Sequence, residues 1–345
     1  LSNSLKNMTK NLKKLKRKRL PRWLKTPLPK KNNFFQLKSL VQKYNLNTVC
    51  ESASCPNIGT CWDTGTLTFM ILGDSCSRAC KFCDVATGNL IVPNPYEPKI
   101  IAETLSKLNL RYAVITSVDR DDLIDGGAEH WIKTIQLIRI QCPQMKIETL
   151  IPDFQGKTSL VEKICEAEPD VLAHNLETVK SLQSTIRPQC RYDWSLDTLR
   201  TAANKNNLVI KSSLMLGLGE KEEEVISSIK DLVDVGCQIL SLGQYLRPSP
   251  RHLEVVEFIH PDQFLKYKNI GESLGLAHVE AGPLVRSSYL ADQQAQATGL
   301  KIYAGTNSGG NNIGRAMGKV GKVETSKQVA SVLPQVTGKY SSYTI

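Results

Sequence analysis

Apolar positions along this chain change their period. FFQLKSLVQKYNL (34–46) spaces them at helical intervals and predicts a short amphipathic helix. From residue 66 onward, short β-branched runs alternate with helical stretches. TLTFMIL (66–72), RYAVITSV (111–118), KIETLIP (146–152), PDVLAHNLE (169–177), LVIKSSLML (208–216) and QILSLGQYL (238–246) read as strands. PKIIAETLSKLN (98–109), AEHWIKTIQLIRI (128–140), TSLVEKICEAE (158–168) and EEEVISSIKDLVDVG (222–236) read as helices. Near-continuous apolar strands separated by helices predict an α/β fold with a helix-covered parallel sheet. Six such strands before residue 250 suit a barrel or a partial (β/α)6 TIM-like barrel better than a short open sheet, and in such folds chemistry gathers at the C-terminal strand ends. Beyond about residue 304 the chain is rich in Gly, Ser, Asn and Lys and reads as a weakly ordered tail.

Composition narrows the class. With 345 residues and 41% hydrophobic content there is ample material for a large core. No run of about 18 apolar residues and no signal-peptide pattern is present, so a soluble, intracellular protein is expected. In a reducing compartment cysteines serve more often as metal ligands or catalytic groups than as disulfides. Net charge is +11, yet residues 1–50 hold 14 Lys and Arg and no acidic residue, leaving −3 (11 minus 14) for the remainder. The basicity belongs to an N-terminal arm (1–33) that reads as disordered. It suits an acidic partner, nucleic acid or a transit-peptide remnant, and Met8 is a plausible native start. A folded body of net negative charge argues against a nucleic-acid-binding protein.

The candidate chemistry lies in CESASCPNIGTCWDTGTLTFMILGDSCSRACKFCDV (50–85), which contains six of the ten cysteines and no histidine. The spacings are C-x4-C-x5-C (Cys50, Cys55, Cys61) and C-x3-C-x2-C (Cys76, Cys80, Cys83). Three thiolates do not complete a tetrahedral zinc site without a remote fourth ligand. On an iron–sulfur cubane, which usually takes four, they leave one iron open. The remaining Cys142, Cys165, Cys190 and Cys237 are scattered and read as ordinary buried or partly buried thiols.

CSRACKFC (76–83), directly after the first strand, resembles the signature of the radical SAM superfamily. That resemblance implies that S-adenosylmethionine chelates the open iron, and that one electron cleaves it to methionine and a 5′-deoxyadenosyl radical. Further segments are similar to the lipoyl synthase family: RLPRWLKTPLP (19–29), CESASCPNIGTCW (50–62), LRYAVITSVDRDDLIDGGAEH (110–130), KIETLIPDFQG (146–156), HNLETV (174–179), LMLGLGE (214–220), LGQYLRPSPRHL (242–253) and GPLVRSSYLAD (282–292). They cover about residues 20 to 300, and only the two ends depart from the family.

Membership would imply a second, auxiliary [4Fe–4S] cluster on Cys50, Cys55, Cys61 and Ser288, the second serine of RSSY. It would also imply sulfur insertion at C6 and C8 of a protein-bound octanoyl-lysine, with the auxiliary cluster as donor. The domains would be the arm (1–33), an N-terminal extension (34–65), the barrel with a C-terminal extension (66–303) and the tail (304–345). Implied partners are octanoylated carrier domains (2-oxoacid dehydrogenase E2 subunits, glycine cleavage H protein), a flavodoxin or ferredoxin as electron donor and an iron–sulfur carrier, with no membrane or nucleic acid. The expected compartment is cytoplasm, or mitochondrion or plastid if the arm is a transit remnant. A biotin synthase type of sulfurtransferase is the nearest alternative, against which the early triplet and RSSY speak. Candidate S-adenosylmethionine contacts are Asn175, Glu177 and the Gly126-Gly127 pair. His174 suits an adenosyl contact or a satisfied structural role. GLGE (217–220) resembles a cofactor loop, and Arg247, Arg251 and His252 could face the carrier or the substrate carbonyl.

Overall fold

The computed structural model describes residues 20–302 apart from 26–31, 45, 64–66, 109 and 206. The expectations for residues 1–19 of the arm and for the tail from 304 lie outside the described residues.

Seven strands form one sheet: β1 (Thr68–Ile71), β2 (Tyr112–Ser117), β3 (Lys146–Leu150), β4 (Val171–Ala173), β5 (Val209–Leu216), β6 (Ile239–Gln244) and β7 (His278–Gly282). All neighbours are parallel, and spatial order follows chain order. Parallel crossovers run right-handed as a rule, so an order that never reverses puts every connecting helix on one face. The other face then curls inward, as in a partial barrel rather than a doubly wound sheet. β7 goes beyond the six strands read from sequence. HVEAG is short and only one of its residues is fully buried, so it carries little apolar signal.

The long helices are α1 (Asn32–Lys43), then, after the short α2 (Val49–Ser52) and α3 (Ile58–Asp63), α4 (Glu97–Leu108), α5 (Ala128–Gln141) and α6 (Thr158–Cys165). The short α7 (Gln183–Ile186) leads to α8 (Tyr192–Ala203), α9 (Glu222–Asp234), α10 (Pro261–Ser273) and the short α11 (Ala291–Gln296). Each predicted helix is present to within three residues at either end. The strand predicted over 169–177 shortens to Val171–Ala173, because the backbone turns away and reaches φ +68° at Glu177.

The barrel interior follows the two-residue strand period. Glu148, Lys211 and Ser241 lie on the inward face below the cavity-lining Leu150, Ser213 and Gly243. Lys211 Nζ donates to Glu148 at 2.9 Å and Tyr112 donates to the same carboxylate at 2.6 Å, with both charged groups 1% exposed. This paired, hydrogen-bonded charge fills the interior beneath the site.

The N-terminal segment packs on the β1 edge. Leu37 and Val41, one helical turn apart, are buried, and Phe34 stacks against buried Trp62 of α3 at 5.5 Å. Thr48 bridges to Phe69, and Met70 N–H donates to Asn47 O at 2.9 Å. The otherwise open edge of β1 is thereby covered.

Candidate active site

The C-terminal ends of the strands open into a cavity of about 510 Å³. Its wall carries all six motif cysteines, Cys50, Cys55, Cys61, Cys76, Cys80 and Cys83, together with Arg286, Ser287 and Ser288 from the loop after β7. The two triplets and the RSSY segment, more than 200 residues apart at their extremes, therefore face one space.

The loop bearing the second triplet leaves β1 and closes on itself where Ser75–Cys76 pairs with Ala86–Thr87. Its first half is fixed from below. Ser77 N–H donates to Asp119 O at 2.9 Å, Asp121 N–H to Ser77 Oγ at 2.9 Å, and Ala79 N–H to Gln189 Oε1 at 2.7 Å. Arg78 is 1% exposed. Its guanidinium donates twice to Asp121 (2.7 and 2.9 Å) and twice to Asp153 (2.9 and 2.6 Å), lies 3.6 Å from Asp119, and donates to Cys190 Sγ at 3.2 Å. Such forked, charge-assisted bonds fix direction as well as distance. The second half is held from above: Leu253 N–H donates to Lys81 O at 3.3 Å, and His252 Nε2 meets Cys83 O at 2.9 Å. A carbonyl only accepts, so Nε2 carries a proton, and Nδ1 lies 3.0 Å from Ser249 Oγ.

The first triplet sits on α2, α3 and the turn between them. Thr48 Oγ1 caps α2 by accepting Glu51 N–H at 3.4 Å. Asn57, between Cys55 and Cys61, is 4% exposed and donates to Leu284 O at 2.5 Å, four residues before Ser288. The RSSY turn is closed by Tyr289 N–H to Arg286 O at 2.9 Å. Buried Gln294 of α11 donates to Tyr289 O and accepts from Ser241 Oγ at 3.1 Å. Asn57 and Gln294 thus bring Ser288 to the wall that holds the first triplet, a tertiary linkage that sequence spacing does not encode.

Burial shifts the thiols. Cys61 is pushed up to about 12 by burial and then by Cys55 and Cys50. Cys76 is pushed up to about 12 by burial and then by Asp119, and Cys83 to about 11 chiefly by burial. These thiols are protonated near neutrality, and a metal centre must displace the protons to bind. Reconstitution with iron and sulfide near pH 7 is therefore expected to release about one proton for each of these thiols that ligates, and to slow as pH falls. Proton release followed in weakly buffered solution, beyond the protons that sulfide itself gives up on entering a cluster, checks this; release no larger than sulfide's share would contradict it.

Among the described residues no three His, Cys, Asp or Glu side chains converge on a point that one metal ion would occupy. Three cavity-facing thiols suit a polynuclear centre instead, in which separate irons take one thiolate each. The cavity also contains two buried polar atoms without partners, Asn175 Oδ1 and Arg187 Nε. Buried polar atoms are rarely left so, and together they offer an acceptor and a charged donor to a polar ligand. Asn175 Nδ2 donates to Glu177 Oε1 at 2.9 Å, and burial raises the Glu177 carboxyl against the opposing pull of Arg187. This donor set fits an amino-acid ligand such as the methionyl part of S-adenosylmethionine.

Of the residues singled out from sequence, Asn175 and Glu177 line the cavity, whereas Gly126 and Gly127 do not belong to its wall. Both have positive φ, and an added Cβ would fall 2.8 Å from Phe154 Cδ1 and 2.5 Å from Leu72 Cδ1. Close packing of the turn is by itself enough to require glycine at both positions. The acidic residues of DRDDLIDGG are also committed: Asp121 to Arg78, Asp122 to Arg120, Asp125 to the N–H groups of Gly127 and Glu129. Asp119 alone of the four faces the cavity. In GLGE, Glu220 accepts from the N–H groups of Gly217 and Leu218, closing its own turn. His174 spends both ring nitrogens, on Ile151 O at 2.8 Å and Ser195 Oγ at 3.0 Å, and burial lowers it to about 4. It is the satisfied structural histidine. Arg247 donates to Glu254, Arg251 to Asp84, and His252 holds Cys83 O.

Four residues that the sequence reading did not weigh matter here: Arg78, Arg187, Asn57 and Gln294. Cys190, read as scattered, lies beside the site through its bond from Arg78. Arg78 was visible inside the cysteine motif, but its three aspartates come from two other loops.

The model of the radical SAM superfamily matches residues 70–232, and that of the N-terminal domain of lipoyl synthase matches residues 2–55. The lipoyl synthase of Flavobacterium johnsoniae is 50% identical over 273 residues, 79% of this chain and 95% of the relative. The mitochondrial lipoyl synthase of Nematostella vectensis is 50% identical over 273 residues, 79% and 94% of the two chains. That of Thermus thermophilus is 50% identical over 276 residues, 79% and 85%. Among solved structures, HydG, a maturase of the [FeFe]-hydrogenase, is 11% identical with a TM-score of 0.49, covering 61% of this chain and 49% of that one. With half of the aligned residues identical over 85% or more of the length of each of these relatives, and both domain models matched around the cysteine loops, this chain belongs to the lipoyl synthase family of radical SAM enzymes.

Proposed function

We propose that this chain inserts two sulfur atoms, at C6 and C8 of an octanoyl group amide-linked to a lysine of a carrier domain, and that a second cluster is the sulfur source. The observation that carries the reading is the single cavity wall shared by both cysteine triplets and RSSY. Methylene carbons of a fatty chain are far too weakly acidic for any side-chain base, so proton abstraction is not a route. When bound, a [4Fe–4S] cluster with S-adenosylmethionine supplies a carbon radical able to take a hydrogen atom, and an auxiliary [4Fe–4S] cluster supplies sulfide.

The protein's part is to hold and orient. In this reading Cys76, Cys80 and Cys83 hold the first cluster, and Cys50, Cys55, Cys61 and Ser288 the second. The Arg187 guanidinium, with its unpartnered Nε, takes the carboxylate of S-adenosylmethionine, and Asn175 and Glu177 take its amino or ribose groups. Met70, Leu150 and Met215 give the cavity an apolar wall that suits an alkyl chain and keeps water from a reactive carbon. The partners are octanoylated E2 or H-protein carrier domains, a flavodoxin or ferredoxin, and an iron–sulfur carrier that rebuilds the spent cluster. No helix among the described residues is long and apolar enough to cross a membrane.

Anaerobic turnover with an octanoylated carrier tests the proposal by mass. Two added sulfurs per carrier, isotopically matched to sulfide built into the protein, are expected; thiolated product with sulfur from another source would overturn it. Ser288 oxygen is a harder donor than a thiolate and binds soft iron less firmly. Ser288→Cys is therefore expected to keep its clusters yet slow sulfur insertion by about tenfold or more, the effect of roughly 1.4 kcal/mol of added ligand stability. Unchanged insertion with the cluster equally consumed would show that a labile oxygen ligand is not required.

A further inference from the structure

Asp84 and Ser54 link the two cysteine loops directly. Ser54 immediately precedes Cys55, and Asp84 immediately follows Cys83. Ser54 Oγ donates to Asp84 Oδ2 at 2.7 Å across a separation of 30 residues. The other carboxylate oxygen accepts from Arg251 Nη2 at 3.1 Å and lies 3.7 Å from His252 Nε2. His252, 8% exposed, grips Cys83 O. Ser54 has φ +51°, a left-handed conformation that a non-glycine residue adopts at some cost, and one that is retained here where its hydroxyl meets Asp84. A continuous strap thus runs from the loop after β6, through Asp84, to the turn carrying Cys55. The fixing bonds of the first half of the radical SAM loop, from Arg78, Gln189 and Asp119, make no such link.

We propose that Ser54 and Asp84 are positioning residues that set the separation of the two cysteine loops, and so the fraction of hydrogen abstractions that end in a C–S bond. The inference rests on the two-cluster reading above. A carbon radical must meet sulfur within contact distance, and small displacements of a reacting group are costly. Freeing one loop relative to the other leaves each triplet intact but widens the distribution of distances between them. The strap is partly exposed, with the Asp84 side chain at 21% and Arg251 at 71%, so substitutions there spare the core.

Ser54→Ala and Asp84→Ala are compared with wild type by two readouts. The first is amide hydrogen exchange in the cluster-free protein. Ser54→Ala is expected to speed exchange in the loop 76–87, and Asp84→Ala in 50–57, each about two- to fivefold, as loss of one modest hydrogen bond predicts. Asp84→Glu, which keeps the acceptor, is expected to restore part of the protection. The second readout is deoxyadenosine formed per C–S bond, expected to rise by a similar factor of about two to five. Exchange and ratio both at wild-type values in both alanine variants would overturn the strap. So would a proportional fall of deoxyadenosine and C–S bonds with exchange raised throughout the chain, which marks a general structural role. If wild type forms no deoxyadenosine from S-adenosylmethionine and reductant, the functional reading fails, while the exchange readout still decides whether the two loops are coupled.

Discussion

Cys76→Ala is expected to abolish cleavage of S-adenosylmethionine, whereas Cys61→Ala is expected to keep the cleavage and abolish sulfur insertion. Both cysteines line the same cavity and both thiols are raised to about 12, so neither burial nor protonation distinguishes them. The loops do. Cys76 belongs to the loop pinned at the C-terminal end of β1 by Asp119, Arg78 and Gln189, where the barrel brings its chemistry. Cys61 belongs to α3, outside the barrel and tied through Asn57 to Leu284 of the loop that carries RSSY. Each variant is expected to lose one cluster, so iron falls from about eight to about four per chain in both. Deoxyadenosine formed under reductant, iron content and carrier mass separate the two cases. Sulfur insertion retained by Cys61→Ala, or cleavage retained by Cys76→Ala, would show that the division of labour is wrong. Equal loss of both activities in both variants would point to one shared centre.

Arg78→Ala is expected to destabilise the cluster-free protein by about 3–5 kcal/mol, the usual cost of removing one member of a buried ion pair. The Arg78 and Asp153 side chains are fully buried, so solvent does not compensate the loss. Two further carboxylates, Asp119 and Asp121, also lose their partner. The effect depends on pH in a definite direction. Burial alone would raise Asp153, but the hydrogen bonds and charge of Arg78 outweigh it and hold the carboxyl below its ordinary value. A carboxylate depressed in this way contributes stability above its unfolded pKa, near 4, and loses it as pH falls through the folded value. The variant lacks that contribution and leaves burial to raise its Asp153, so its deficit is largest near neutral pH and narrows as pH falls, beginning above the unfolded value of about 4. Urea unfolding of both proteins across this range measures it. Arg78→Lys keeps the charge but not the fork, and is expected to recover less than half of the loss. A deficit under about 1 kcal/mol, in the range of exposed pairs, would mean that the four-residue network is ornamental.

Much of the barrel was legible because its signals are local. Six of seven strands and four of the long helices announce themselves through period, since a strand buried on both faces needs a continuous apolar run and a covering helix needs one apolar stripe. β7, α8 and α10 were missed for the complementary reason: HVEAG is only partly buried, and YDWSLDTLRTAA and PDQFLKYKNIGES each hold only two large aliphatic residues, too few to mark an apolar stripe. In the site, the cysteine spacings named the candidate ligands, because several thiolates from one short loop must come at near-fixed intervals. Gly126 and Gly127 show what a short motif leaves open, since a glycine needed for packing against Phe154 or Leu72 looks in sequence like one needed for a ligand.

The sequence by itself determined what is written within a few residues: the β/α alternation, the two thiol triplets, the RSSY segment and family membership. Tertiary structure alone decided which distant residues serve them. Arg78 meets Asp121 and Asp153, Asn57 meets Leu284, and Ser54 meets Asp84 only because parallel strands in unbroken order bring their following loops to one end of the barrel. Hydrogen bonds between loops depend on where the chain returns in space, and no local period records that return.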